Sequence, residues 1–544
     1  MSDRRRDSLT LVATILGSTI VFLDATVVNV ALPALSRDLD AGLADQEWVV
    51  EAYLLALVAL MLVGGSLGDQ FGRRRMFVTG LIGFGATSIL CAIAPSSEFL
   101  IGGRALQGFA GALLVPGSLA ILASTFSGAA RGRAVGTWTA WSGIATIIGP
   151  AGGGFLVDEL SWRWIFWVNV PLILATVALT LYAVRESFDP EARGRPIDWA
   201  GIALSAVGFG GPVFALIEQP RYGWGDPLVA IPLIVGLLCL FSFVAWEMRY
   251  RNAMMDTSLF RIRNFSVTNG STVMVYGGLY GGTFFITIFL QQTSGYSALE
   301  AGLATTPMSV MLFVLSPWFG KLASGTGPRL LMSAGPIVAG IGMLLLLRVD
   351  ADAPYLSQVF PGILVFALGL SATVAPLTAT VLDSVEERHT GIASGINNGV
   401  SRVAGLLAIA VIGASISAEF SSTLDDQLAG ASLGGPARSS VDQAKEKPLG
   451  APPTEDVEGE QAQQVDTAVT EASESGFHLG MWIAGGLMIL GGLLAAVGIQ
   501  NPRHREVDAP RAAPAGDCGH CPTEGEPRSH RGGERVPEPA GETA

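Results

Sequence analysis

The chain has 544 residues, of which 50% are hydrophobic and 15% charged, with 68 glycines and a formal net charge of −13 at pH 7. A soluble globular protein carries roughly 25% charged residues, so this composition excludes an ordinary water-facing fold and points to a bilayer, where glycine-rich helices are common. Nearly half of the acids sit in one loop and the two tails, and no basic tract of the kind that binds nucleic acid is present.

A helix crossing about 30 Å of hydrocarbon needs about 20 apolar residues. Such runs occur near 9–34, 47–68, 77–95, 99–122, 134–157 and 164–184, then near 199–218 and 227–247. They continue near 266–291, 301–322, 330–348, 357–382, 391–415 and 476–499. About fourteen spans are therefore expected in an all-α polytopic membrane protein. Residues 1–8 form a short N-terminal segment; Arg4, Arg5 and Arg6 precede a run long enough to be kept as a helix, not cleaved as a signal peptide. Residues 416–475 read as an outer loop whose opening part extends the preceding helix and whose remainder lacks the apolar content to fold alone. Residues 500–544 read as a disordered cytoplasmic tail of similar character.

Orientation follows from the basic residues. With the N-terminus inside, the inner segments hold Arg4–Arg6, Arg73–Arg75, Arg131, Arg133, Arg193, Arg195, Arg249, Arg251, Arg261, Arg263, Lys321, Arg329 and Arg388. The short outer loops hold only Arg37, Arg163, Arg221 and Arg348. An even number of spans then places both termini in the cytoplasm and the chain in the cell membrane. Cys91 and Cys239 lie in apolar runs, where a cysteine acts as a small hydrophobe. Cys518 and Cys521 lie in the tail without the four matched ligands a zinc site wants. No metal site and no cofactor is expected.

An internal repeat sets the architecture. Gly65-Ser-Leu-Gly-Asp69-Gln-Phe-Gly72-Arg73-Arg74-Arg75 follows the second run, and Gly320-Lys-Leu-Ala-Ser324-Gly-Thr-Gly327-Pro-Arg329 occupies a later inner loop. Gly65, Leu67, Gly72 and Arg74 align with Gly320, Leu322, Gly327 and Arg329 without a gap. A shared loop in matching positions of two six-helix halves implies a parallel duplication. The divisions are then a first six-helix bundle at 9–185, a central segment at 186–265 with two extra helices, and a second bundle at 266–499 that includes loop 416–475.

Further motifs follow in order. They are Leu23-Asp24-Ala-Thr26-Val-Val-Asn29-Val-Ala-Leu-Pro33, Trp48-Val-Val-Glu51-Ala-Tyr53, Arg104-Ala-Leu-Gln107-Gly108, Gly149-Pro150-Ala-Gly-Gly153-Gly154 and Trp162-Arg163-Trp164-Ile-Phe-Trp-Val-Asn169-Val-Pro171. With the loop repeat, this set resembles the fourteen-helix drug:proton antiporters of the major facilitator superfamily, over nearly all of residues 9–499. The resemblance implies two six-helix bundles plus two inserted helices, alternating access, and proton-coupled efflux of small amphipathic molecules such as antibiotics. The partners it implies are a small-molecule substrate, protons and the lipid bilayer, with the chain acting as a monomer. Export or import of one specific metabolite, or a non-transporting sensor on the same fold, are the alternatives.

Asp24 lies deep in a span, where an ionisable side chain is costly and faces a cavity or a partner. The resemblance assigns its position to proton or cation coupling; the alternative is a hydrogen-bonded group that positions helices. Arg104, Gln107, Gly108 and Gly111 share one helix face at i, i+3, i+4 and i+7. A guanidinium at that depth needs an anionic or carbonyl partner, and the resemblance gives Arg104 a part in proton transfer or its gating; the alternative is a structural hydrogen-bond anchor between helices. Glu51 is either a second titrating or cation-binding carboxylate or a solvated interfacial acid. Thr26, Asn29 and Gln107 line the cavity or pack helices. Gly149, Pro150 and Gly153 give close helix approach and local weakness. The resemblance links that pattern to export, although Ala145 stands where glycine is usual. Asp69, with Gly65, Gly72, Arg73 and Arg74, is expected to latch the inner side closed in the outward-open state, Arg73–Arg75 equally serving as inside-positive anchors alone; Ser324 replaces the acid in the second copy.

No Gly-x-x-x-x-Gly-Lys-Ser/Thr phosphate loop is present, so an ion gradient is the expected energy source. Moving one charge through 100 mV supplies about 2.3 kcal/mol. No convergent nucleophile, base or metal cluster argues for an enzyme. Phe285, Met308 and Trp318 are either cavity residues or lipid-facing packing.

Overall fold

An unpaired backbone amide in hydrocarbon costs several kcal/mol, so a chain that crosses a bilayer repeatedly must coil into helices or close into a barrel. The described residues take the helical solution. The computed structural model describes residues 3–501 except 127, 189–197, 251–256, 386–389, 430, 432, 451–456 and 458. The expected tail from 502 onward, with Cys518 and Cys521, lies outside the described residues.

The first half contains α1 (Asp3–Leu39), α2 (Leu43–Phe71), α3 (Arg73–Ala92), α4 (Ser97–Thr125), α5 (Gly128–Glu159), and the short α6 (Trp164–Trp167) leading into α7 (Asn169–Ala183). Two inserted helices follow, α8 (Trp199–Tyr222) and α9 (Pro227–Arg249). The second half contains α10 (Arg263–Gln292), α11 (Ala298–Thr326), α12 (Pro328–Leu345), α13 (Phe360–Asp383), α14 (Thr390–Gln427), α15 (Gly435–Glu446) and α16 (Glu460–Gly498). Among the described residues, 12 helical segments are long and apolar enough to cross a bilayer. The helices α2 and α5, with 29 and 32 residues, also have the length and coincide with the expected runs at 47–68 and 134–157.

Both halves pack in the same pattern. The first helix of each (α1, α10) lies against the fifth (α5, α14) and the last (α7, α16). The second (α2, α11) lies against the fourth (α4, α13), and the third (α3, α12) touches the fourth and the last. The repeat extends to single hydrogen bonds. Arg6 Nε donates to Ala183 O at 2.8 Å, and Arg263 Nε donates to Gly498 O at 2.9 Å. Arg74 N donates to Glu186 Oε1 at 3.0 Å, and Arg329 N donates to Asn501 Oδ1 at 3.1 Å. Glu186 and Asn501, each three residues past the last helix of its half, thus cap the start of the third helix.

Gly72 and Gly327, aligned in the repeat, separate the second helix from the third with φ of 109° and 85°. Backbone in that region is closed to most side chains. A Cβ would also meet the capping groups, at 2.8 Å from Glu186 and 2.4 Å from Asn501. The two glycines therefore make the sharp turn and admit the cap.

The inserted α8 packs on α9 and bridges the halves, with Val213 and Ile217 clustered with Leu406 and Ala410 of α14 and next to Leu54 and Leu55 of α2. The helix α9 leaves Leu238 and Phe241 62% and 77% exposed. In a bilayer that apolar face meets lipid.

The opening part of residues 416–475 extends the preceding helix as expected, α14 continuing to Gln427; the remainder differs from the unfolded loop that the sequence suggested, with α15 at Gly435–Glu446 and α16 starting at Glu460. Phe420, Leu424, Val441, Val465, Val469 and Ala472 form a separate apolar cluster. Their helical spacing, with 465, 469 and 472 on one face, builds a small core that a count of apolar residues overlooks.

Gly72→Ala and Gly327→Ala are each expected to lower stability by about 1–3 kcal/mol. Gly102→Ala, with nothing within 4 Å of its added Cβ, is expected to be neutral or slightly stabilising. Thermal unfolding of the purified variants in detergent checks the ranking.

Candidate functional site

Five helices of the first half converge on one buried ion-pair network. Asp24 of α1 is 2% exposed, and Arg104 of α4 is 1% exposed. Arg104 Nη1 donates to Asp24 Oδ2 at 2.5 Å. The other carboxylate oxygen accepts from Gln107 Nε2 at 3.0 Å and from Asn169 Nδ2 of α7 at 3.1 Å. Gln107 Nε2 also reaches Ser88 Oγ of α3 at 3.0 Å, and Gln107 Oε1 accepts from Arg104 Nη1 at 2.7 Å. Arg104 Nε donates to the Val49 carbonyl of α2 at 3.0 Å. The guanidinium lies 4.2 Å from the centre of the Tyr53 ring.

Local sequence explains this convergence. Arg104 and Gln107 stand three residues apart and so project from one face of α4. Gly108 and Gly111 on that face let α2 approach: a Cβ at Gly108 would fall 2.3 Å from Tyr53 O, and one at Gly111 3.0 Å from Leu57 Cδ1. Two isolated ions would each cost several kcal/mol to bury, and direct pairing with extra hydrogen bonds offsets that cost. Two polar atoms beside the network, Tyr53 Oη and Asn169 Oδ1, are buried and meet no hydrogen-bond partner.

The other expected residues fall elsewhere. Thr26 bonds back to Phe22 O and Leu23 O of its own helix and faces Gly149, where a Cβ would meet its Oγ1 at 2.2 Å. Asn29 Oδ1 is buried and meets no partner. Gln107 belongs to the ion-pair network and not to an open cavity. A cavity of about 210 Å³ lies instead between the halves, lined by Phe22, Tyr276, Tyr280, Asn397, Ser401 and Arg402 among others. Of the aromatics and methionines suggested for such a cavity, Phe285 is fully buried in the core and Trp318 is 59% exposed. Met308 packs against the core.

Glu51 is 0% exposed, and both its carboxylate oxygens are buried and meet no hydrogen-bond partner. Asp69 pairs with Arg73 of the following helix at 2.7 Å. Glu186 receives the amides of Arg74 and Arg75, a role the sequence reading missed because the acid lies more than a hundred residues away. Gly65 lies in α2, and its surroundings are outside the described residues, as is the side chain of Ala145.

The halves touch at the end of the bundle opposite the described start of α1 and the end of α16, here called the far end. Gly154 of α5 abuts Ala298 O, and Gly302 of α11 abuts Pro150 O, with would-be Cβ distances of 2.5 and 2.3 Å. Gly153 faces Val27 of α1. Asp158 accepts from the Ala298 and Leu299 amides and so caps α11. Gln291 Nε2 donates to Val30 O, and Lys447 pairs with Asp40. The ammonium of Lys447 holds the Asp40 carboxyl below its ordinary range.

The family model described as Major Facilitator Superfamily matches residues 14–409. The chain belongs to that superfamily. It is accordingly a multi-pass membrane transporter of small molecules, not an enzyme. It is 35% identical to the multidrug resistance protein Stp of Mycobacterium tuberculosis (strain CDC 1551 / Oshkosh), across 78% of each chain. It is 31% identical to the tetracenomycin C resistance and export protein of Streptomyces glaucescens, across 90% of this chain and 91% of that one. Among solved structures, a bacterial homolog of the human lysosomal transporter Spinster aligns with a TM-score of 0.62 at 15% identity. That alignment covers 91% of this chain and 99% of the other, and it shows the shared fold.

Arg104→Met is expected to destabilise the protein by about 3–5 kcal/mol, because it leaves Asp24 buried without a counter-charge. The double variant Asp24→Asn/Arg104→Met is expected to recover much of that loss. Thermal unfolding of the two purified variants against wild type measures the difference.

Proposed function

We propose that this superfamily member exports small amphipathic molecules of the antibiotic type by alternating access, driven by protons entering from outside the cell. One observation carries the reading: the buried Asp24–Arg104 bridge, held by groups from five helices of one half. A proton on Asp24 converts an acceptor oxygen into a donor. That oxygen then opposes an N–H of Arg104 or an amide, so the bridge loosens and the packing of α1 against α4 changes. Because α1 also packs on α5, α10 and α11, a change there reaches the contacts between the halves.

The basic residues support a cytoplasmic location for both termini, in the plasma membrane. The far end is then extracellular and the described conformation is closed outward. In that state Asp69 is engaged with Arg73 within its own half; as the latch of the outward-open state it would exchange that partner for one across the inner side. Gly149, Pro150 and Gly153 support direction through the tight seat of α5 on α1 and α11. The cavity beside Tyr276, Tyr280, Asn397 and Arg402 offers aromatic faces and amide donors to an amphipathic cargo. Relatives named for resistance to tetracenomycin C and puromycin make those compounds the first cargoes to try. The divisions 9–185, 186–265 and 266–499 then act as one moving bundle, a bridge, and a second bundle, in a monomer.

Asp24→Asn is expected to abolish efflux driven by a pH gradient in proteoliposomes while the protein stays folded in the membrane. Puromycin and tetracenomycin C transport, followed with and without the gradient, provides the check. Wild-type coupling in Asp24→Asn would overturn the assignment.

A further inference from the structure

The first half carries two acids that the ion-pair network does not use. Glu47 and Glu51 of α2 are 2% and 0% exposed, and Glu47 Oε1 and both carboxylate oxygens of Glu51 meet no hydrogen-bond partner. Four residues apart, they share one helix face at an axial separation of about 6 Å. Glu47 lines a cavity of about 610 Å³ at the far end, where α2, α8, α14 and α15 meet. Glu51 lies one turn further in, close to Val49 and Tyr53, which touch Arg104.

The other charged groups around this cavity are engaged. Asp40 pairs with Lys447, and Lys445 with Asp425. Asp45 accepts from the Gly42 amide, Glu218 from the Trp48 indole, and Arg221 lies over Tyr222. Further in, Arg104 is held by Asp24 and Val49, and Arg402 faces the separate cavity between α1 and α14. Glu47 and Glu51 are thus acids without a neutralising partner among the described residues. An ionised carboxylate buried that way costs several kcal/mol, and taking up a proton removes the cost. A hard metal cation asks for about six oxygen ligands, and no group of three or more metal-binding side chains occurs among the described residues.

We propose that Glu47 and Glu51 form a second proton-binding station, loaded from the far-end cavity and carrying its protons while that end is closed. This rests on the alternating-access reading and adds a gate to it. Gly413 of α14, in the opposite half, closes directly onto Glu47: a Cβ there would fall 1.8 Å from Glu47 Oε1. Each carboxylate binds a proton to become a neutral acid, and neutral Glu47 is what allows α14 to seat. Opening of the far end lifts α14 away and returns Glu47 to water. The cavity thereby passes protons in only when the outer gate is able to shut behind them.

Infrared difference spectroscopy of the full chain in lipid nanodiscs tests this without a transport substrate. At neutral pH the wild type is expected to show carboxylic-acid C=O bands. Glu47→Gln and Glu51→Gln should each remove part of that intensity, and the double variant the sum. Asp24→Asn should retain it, so failure of Asp24 coupling and failure of this station are told apart. Because an amide replaces a neutral acid almost isosterically, both single variants should keep the wild-type melting temperature. Bands indifferent to both substitutions, variants that unfold, or bands converted by exchanging sodium for potassium at constant pH would each overturn the proposal.

Discussion

The cost of burying charge organises the first half of this protein. Asp24 and Arg104 are tolerable at their depth only together, with Gln107, Asn169 and the Val49 carbonyl completing their hydrogen bonds. Satisfying them draws α1, α2, α3, α4 and α7 to one point. Glycines at 108 and 111 then follow as a packing requirement, since bulkier residues would hold α2 and α4 too far apart for Arg104 to reach Val49. A centre built this way is rigid while charged and under strain to rearrange when one charge is removed. That property suits a coupling element better than it suits a simple helix anchor.

The second organising feature is duplication. The two halves share helix pairings, glycine turns and terminal caps, and the contacts between them, α5 with α11 and α2 with α14, are themselves related by the repeat. The copies differ in their ions. The cap on Gly72 is the carboxylate of Glu186, whereas the cap on Gly327 is the amide of Asn501. The buried ion pair belongs to the first half. The second half contributes aromatic and amide groups such as Tyr276, Tyr280 and Asn397 to the cavity between them. One half therefore carries charge chemistry, and the other supplies most of a surface suited to cargo.

Much of this was legible in the sequence. Span lengths and the loop repeat gave the helices and the two halves, because backbone satisfaction in lipid leaves a chain few choices. The depth of Asp24 and Arg104 marked both as needing partners, but spacing alone did not reveal that they would partner each other across 80 residues. Asn169 and Tyr53 stood within recognisable motifs without an assigned part, since their roles depend on helix packing. Glu186 and Ser88 left no local signal. The later part of the 416–475 segment was not legible, because its apolar residues form a cluster only once α14, α15 and α16 bring them together. For Glu51 the sequence left a titrating and a solvated acid open, because position along α2 alone does not tell how much of the side chain its neighbours cover; it is 0% exposed.

The central claim is that protonation of Asp24 shifts the arrangement of the halves. Spin labels at Phe71 and Thr326, exposed positions at the ends of α2 and α11, report the separation of the halves at the inner side. Pulsed dipolar distance measurement across a pH titration in nanodiscs is the direct test. The account predicts two distance populations whose ratio changes with pH in the wild type and changes with clearly smaller amplitude in Asp24→Asn, where only Glu47 and Glu51 remain to titrate. A titration of equal amplitude in both proteins would contradict it.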